Sequence, residues 1–270
     1  MPLSDTKNPR FLTYPLIGSE KNKNRYLYLC KTHDAALLSW IFDKIKFQRQ
    51  NYFLLTIDKH IDLPHVDYWE DFLHKLENIK ERSGKIQLRF LKNNFQQIFA
   101  GNDIHFIIAA FELGLLDGCV IISPETQKMM RKIKLEEKYS DYPIFFYRSL
   151  SDLFFQDNVK WILRNFDSQQ LAILSRIEHS NLIIDIDLDY FVNVFDEDFD
   201  KKLNNEGIKK LFREDAVCIS ISLEENYCNL DNRNNCQKIF KKVMRYFEEI
   251  NLIREKIEFR EVIKNLKYCT

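Results

Sequence analysis

Apolar and polar positions along this chain fall into short blocks whose period switches repeatedly between that of a strand and that of a helix. Arg25 to Cys30 alternates aromatic and aliphatic side chains and predicts a first strand, after a polar loop at Ser19 to Asn24. Ala36, Leu37, Trp40, Ile41 and Ile45 recur at helical spacing and predict a helix over Ala35 to Phe47. Tyr52 to Ile57 is an unbroken apolar run rich in strand formers, suited to a sheet buried on both faces. Trp69, Phe72, Leu73, Leu76 and Ile79 share one face of a helix over Tyr68 to Ile79. Further strands are expected at Ile86 to Leu91, Val120 to Ser123, Ile144 to Tyr147, Leu182 to Leu188 and Val217 to Leu223. Between them the pattern turns helical over Phe95 to Leu116 (broken near Gly101), Glu125 to Lys138, Ser168 to Arg176, Gly207 to Phe212 and Cys236 to Glu249.

Short apolar strands alternating with helices predict an α/β fold with a mainly parallel sheet. No linker-like composition and no internal repeat interrupts the pattern, so residues 1–270 are expected to form a single domain. In such sheets chemistry gathers where strands end and loops begin, which directs attention to the polar residues just past each apolar run.

Composition narrows the classes of function. Lys plus Arg and Asp plus Glu number 40 each, so the chain as a whole attracts neither nucleic acid nor an anionic membrane. No apolar run is long enough to span a bilayer, and Met1 to Arg10 lacks the apolar stretch of a secretory signal, so a cytoplasmic location is expected. The six cysteines are scattered without a Cys-x-x-Cys pair, which argues against a zinc ribbon and against a disulfide framework.

Two clusters follow apolar strands. Asp58, His60 and Asp62 come directly after Tyr52 to Ile57. If the chain stays extended there, alternate residues face one spot at the sheet edge. Two carboxylates and an imidazole at one spot repel or compete unless a cation sits among them, and this mixed oxygen and nitrogen set suits manganese, iron or zinc better than calcium. A solvated turn with accidental spacing is the bland alternative. Asp185, Asp187 and Asp189 alternate with Ile186 and Leu188, after Leu182 to Ile184. Carboxylates on a buried strand are costly without a counter-ion. Two such clusters are what a two-metal hydrolytic site requires, with ions ~3.5–4 Å apart and a water activated between them.

With those residues in view a resemblance emerges. Asp58-Lys-His60-Ile-Asp62 resembles the Asp-x-His-x-Asp motif of the ureohydrolase superfamily (arginase, agmatinase and relatives), and Asp185-Ile-Asp187-Leu-Asp189 resembles its later Ser-x-Asp-x-Asp motif. The aromatic pair Tyr190-Phe191 after the second motif is similar to a divergent branch that includes the peptide arginases of ribosomal-peptide maturation (RiPP biosynthesis), which convert arginine side chains to ornithine. The resemblance implies a three-layer α/β/α, arginase-like fold and two divalent ions, Mn²⁺ in the family. It implies that His33 and Asp62 bind the first ion, that Asp58 bridges both and that His60 binds the second. Asp187 is a ligand in either alignment of the later motif. If Asp185 stands where the family has Ser, Asp187 bridges and Asp189 binds the second ion; if the Asp-x-Asp pairs are matched at their first member, Asp185 bridges and Asp187 binds it.

The same resemblance assigns Glu224, with Glu225 in reserve, to bind a guanidinium, as a carboxylate can do bidentately. His105, in Gly101-Asn102-Asp103-Ile104-His105, resembles the arginase histidine that transfers protons. Pro64 stands where free-arginine enzymes have an asparagine that holds the substrate carboxylate, and Pro offers no such donor. The expected substrate is therefore an arginine-containing precursor peptide, with ornithine and urea as products. An agmatinase-like or deacetylase-like hydrolase (Tyr227 lies near the late motif) and a non-catalytic partner-binding relative remain open at this point.

Overall fold

The structure is a computed structural model. It describes residues 11–19, 22–50, 52–60, 74, 106–125, 143–149, 181–191, 203, 206–223 and 233–267. The strands are β1 (Phe11–Pro15), β2 (Tyr26–Cys30), β3 (Tyr52–Ile57), β4 (Leu116–Ile122), β5 (Ile144–Tyr147), β6 (Asn181–Asp187) and β7 (Ala216–Ser222). The helices are α1 (His33–Phe47), α2 (Phe106–Glu112), α3 (Glu206–Lys210), α4 (Arg233–Glu249) and α5 (Phe259–Lys267). A 3₁₀ turn follows β6 at Leu188–Phe191, and a π-helical turn at Leu211–Asp215 follows α3.

The strands form one seven-stranded sheet in the order β1-β2-β7-β6-β3-β4-β5. Every pairing is parallel except that of β1 with β2. Residues of β3 and β6, and of β7 from Cys218 onward, alternate between two buried clusters, as strands covered on both faces should. On one face Tyr28, Leu54 and Ile183 pack with Leu37, Trp40 and Ile41 of α1 and with Phe106 to Ala110 of α2. On the other, Leu55, Ile184 and Ile219 pack with Phe240, Val243 and Phe247 of α4 and Val262 and Leu266 of α5. Helices on both faces of a mostly parallel sheet make an α/β architecture compatible with three layers.

Several expectations change in detail. The first strand is Phe11–Pro15 rather than the stretch from Arg25; it is short, ends on Pro and lies at the sheet edge, where Pro costs no ladder hydrogen bond. The helix expected to run to Leu116 stops at Glu112. Gly114, with φ +64°, closes it: the Gly114 N–H donates to Phe111 O at 2.8 Å and the Leu115 N–H to Ala110 O at 2.8 Å. That paired arrangement satisfies the last carbonyls and turns the chain directly into β4, which starts four residues before Val120. Gly118 sits inside β4 because the Phe53 ring occupies the place of its side chain: a Cβ there would lie 2.5 Å from Phe53 Cε2. The strand expected to continue to Leu188 ends at Asp187. The expected elements at Tyr68 to Ile79, Ile86 to Leu91, residues 95–105, residues 126–138 and Ser168 to Arg176 lie outside the described residues, His74 apart.

The strand order places a switch point between β3 and β6. These two are neighbours, but the strand following β3 lies on one side of the pair and the strand following β6 on the other. Chains that leave adjacent parallel strands in opposite directions open a crevice at the carboxyl ends, which is where such sheets bind ligands.

Candidate metal centre

Asp58 and Asp187 lie at that crevice. Ile57 and Ile186 are register partners at the ends of β3 and β6, so the next residue of each chain emerges at the same level. The Asp58 N–H donates to Ile122 O at 3.0 Å, which ties the exit of β3 to β4. Beyond it the chain does not stay extended. The His60 N–H donates to Asp58 Oδ1 at 2.8 Å and bends the backbone over Lys59 and His60. The second cluster repeats the device: the Asp189 N–H donates to Asp187 Oδ1 at 3.0 Å, and the 3₁₀ turn begins. In both motifs an aspartate oxygen binds the backbone two residues on, a turn that Asp favours over extended structure. Convergence therefore arises from two turns, and the alternation expected from an extended chain is corrected accordingly.

His33 comes from a third strand end. It is the first residue of α1, entered from an extended Thr32. Its ring stacks on Phe106 at 5.0 Å, which fixes its plane. β7 lies between β2 and β6, so His33 reaches across the end of β7 to place Nε2 3.4 Å from Asp187 Oδ2. One ligand atom each from His33, Asp58 and Asp187 lies within 4.8 Å of the other two, and all three residues are buried. This buried His–Asp–Asp group can hold a metal ion.

Beside it stands a second pair. His60 Nε2 lies 3.3 Å from Asp189 Oδ2, and the imidazole pKa is raised, chiefly by that hydrogen bond and against the effect of its partial burial. The His60 side chain is 44% exposed whereas Asp189 is 1% exposed, so the centre is closed on the His33 side and open on the His60 side. Asp189 Oδ1 is buried and accepts no hydrogen bond among the described residues. A buried carboxylate oxygen left in this state is costly, and a cation among these oxygens and imidazoles would relieve it. On that ground the residues present fit a divalent ion.

Asp185 belongs to the same strand as Asp187. It shares the face of Asp187 but sits one pleat deeper in the sheet, level with Thr56 and Ser220. The Ser220 hydroxyl donates to Asp185 Oδ1, and the Thr56 hydroxyl donates to Oδ2 at 3.4 Å. Trp40 Nε1 in turn donates to Ser220 Oγ at 2.9 Å, locking the layer to α1. The structure thus brings His33, Asp58 and Asp187 into one group, sets His60 with Asp189 beside it, and holds Asp185 beneath. Asp62, His105, Glu224, Glu225 and Tyr227 lie outside the described residues.

No protein-family model, no curated protein and no solved structure matches this chain.

Sequence reasoning passed over several residues that shape the centre. Glu125 Oε2 lies 3.8 Å from His60 Nδ1. The Glu125 N–H donates to Ser123 Oγ at 3.2 Å, and the Ser123 hydroxyl donates to Lys59 O at 2.7 Å, so the loop after β4 supports the turn after β3. Ser123 and Glu125 carried a usable signal, since they too follow an apolar strand. The thiols of Cys30, Cys119 and Cys218 are pushed well above their ordinary pKa by complete burial.

Proposed function

We propose that this chain is a metal-dependent hydrolase that holds two divalent ions, Mn²⁺ by resemblance, and acts on the guanidino group of arginine within a peptide, leaving ornithine and releasing urea. The observation that carries this reading is the buried group of His33, Asp58 and Asp187 at the switch point, with His60 and Asp189 directly beside it. His33 and Asp58 would hold the first ion together with Asp62, and His60 and Asp189 the second. Asp58 and Asp187 would be shared. The hydroxyls already engaged on Asp185 favour the alignment in which it replaces the family's serine, with Asp187 bridging and Asp189 in the second position.

Bound ions supply Lewis-acid charge at the scissile carbon and an activated water. The protein's own part is to position and exclude. The closed His33 side, packed against Phe106, shields the buried carboxylates from bulk water. The exposed edge of His60 leaves the entry for a side chain carried on a larger substrate. Glu224, directly after Leu223 at the end of β7, is assigned to pair with the planar guanidinium, and Glu225 stands in reserve. His105 is assigned to pass a proton to the departing amine.

The test has two measurements on the same protein. Metal analysis should find divalent ions that Asp58→Asn abolishes. Incubation with arginine-containing peptides and Mn²⁺ should release urea and remove CH₂N₂ from each converted residue. Metal binding with neither urea nor a mass change, across free arginine, agmatine, acetyl-lysine and peptidyl arginine, would discard this substrate class and leave the metal centre.

A further inference from the structure

Ser222 is the last residue of β7, the strand that lies beneath the contact between His33 and Asp187. Its register partners are Cys30 on β2, three residues before His33, and Asp187 on β6. It follows Ser220 by two residues, so both serines face the same side of the sheet, the side on which Trp40 and Phe106 pack. Ser220 and Ser222 therefore form two rungs of one ladder. On the lower rung the Ser220 hydroxyl donates to Asp185, its register partner. On the upper rung Ser222 stands level with Asp187, yet its hydroxyl is fully buried and has no hydrogen-bond partner among the described residues.

A buried hydroxyl without a partner loses its hydration and gains nothing in exchange, so native proteins rarely keep one unless something else comes to meet it. Here Asp187 Oδ1 accepts from the Asp189 N–H, and Oδ2 lies toward His33. An ion held by Asp187 and His33 would draw on those same atoms and leave the carboxylate free to reorient. We infer that Ser222 is a positioning residue of the metal centre: its hydroxyl donates to Asp187 in the ion-loaded protein, as Ser220 donates to Asp185 one layer below. The inference rests on the metal-centre reading above but adds a residue that neither motif contains. Hydrogen-bond donors behind a ligating carboxylate fix its orientation and typically change metal affinity by about 10–100-fold.

The experiment measures Co²⁺ affinity by the visible absorption of the bound ion, together with thermal unfolding in chelator, for the full chain and for Ser222→Ala and Ser222→Thr. The alanine variant should bind Co²⁺ about tenfold more weakly and show a shifted ligand-field band. In chelator it should unfold with the wild type, because no hydrogen bond has been lost there. Threonine keeps the hydroxyl and should restore most of the affinity. Equal Co²⁺ affinity of wild type and Ser222→Ala would overturn the inference and leave the metal centre intact. So would threonine behaving as alanine does, or an alanine variant that melts well below wild type in chelator. A wild-type protein that binds no Co²⁺, Mn²⁺ or Zn²⁺ would remove the metal centre itself, and this role with it.

Discussion

At the scale of the residue, the centre depends on aspartates that do two jobs with two oxygens. Asp58 spends Oδ1 on the His60 N–H, and an asparagine retains that acceptor. Asp58→Asn should therefore keep the turn, lose the stabilisation conferred by added Mn²⁺, and unfold in chelator no earlier than wild type, since one of several clustered buried carboxylates has gone. Calorimetry with and without chelator measures both halves. Asp43 offers a contrast far from the site. It is fully buried, accepts hydrogen bonds from the Tyr28 hydroxyl at 2.8 Å and the Tyr52 hydroxyl at 2.7 Å, and forms an ion pair with Arg49 Nε at 2.8 Å. Burial nevertheless dominates these partners and raises its pKa. A folded pKa above the unfolded one gives a stability contribution that is complete below the unfolded value and lost as pH rises through the folded value. The stability gap between wild type and Asp43→Asn should accordingly narrow from acidic to neutral pH, as read from denaturant unfolding in chelator. The meeting of Asp58 and Asp187 in one buried group was legible in the sequence, because residue type and spacing are both unusual there. The place of Ser222 was not legible, because a serine in a strand is ordinary until its neighbours in space are known.

At the scale of the element, apolar runs located β3 and β5 to the residue, although β3 is fully buried and β5 is a half-buried edge strand. Where a boundary is decided by a turn, periodicity carried less. The α2–β4 junction is set by Gly114 at φ +64° and by two capping hydrogen bonds. Gly114→Ala meets open space but must adopt a left-handed backbone, and should cost about 1 kcal/mol in chemical denaturation. Gly118→Ala is the opposite case, with an ordinary backbone and no room beside Phe53. Overpacking of this kind costs roughly 1–3 kcal/mol, and combining it with Phe53→Leu should recover part of the loss. A double-mutant cycle with no coupling between the two sites would contradict that account. The π-helical turn at Leu211–Asp215 shows how an irregular element is held: buried Arg25 donates to Arg213 O at 2.5 Å, to Ala216 O at 2.6 Å and to Phe212 O. Nothing in the local sequence around residue 211 announces a partner that far away in the chain.

At the scale of the whole molecule, the alternation of strands and helices indicated a parallel α/β sheet, but strand order could not be read from it. That order determines what metal removal should do. Because the proposed ions would bind the folded arrangement of three strand ends and not the unfolded chain, stabilisation follows mass action, about 2.7 kcal/mol when free metal is 100 times its dissociation constant. A titration of melting temperature against Mn²⁺ should rise logarithmically without saturating, and a flat response would speak against the centre. The same order has a consequence for how the protein is made. β2 and β3 emerge from the ribosome early, yet the places beside them in the sheet belong to β6 and β7, which are translated late. Until those strands arrive, a nascent chain carries the bare hydrogen-bonding edges of β2 and β3, a condition that invites chaperones and aggregation. Messages truncated between β5 and β6 should therefore yield products that are cleared by proteases or found in the insoluble fraction, never a smaller folded protein.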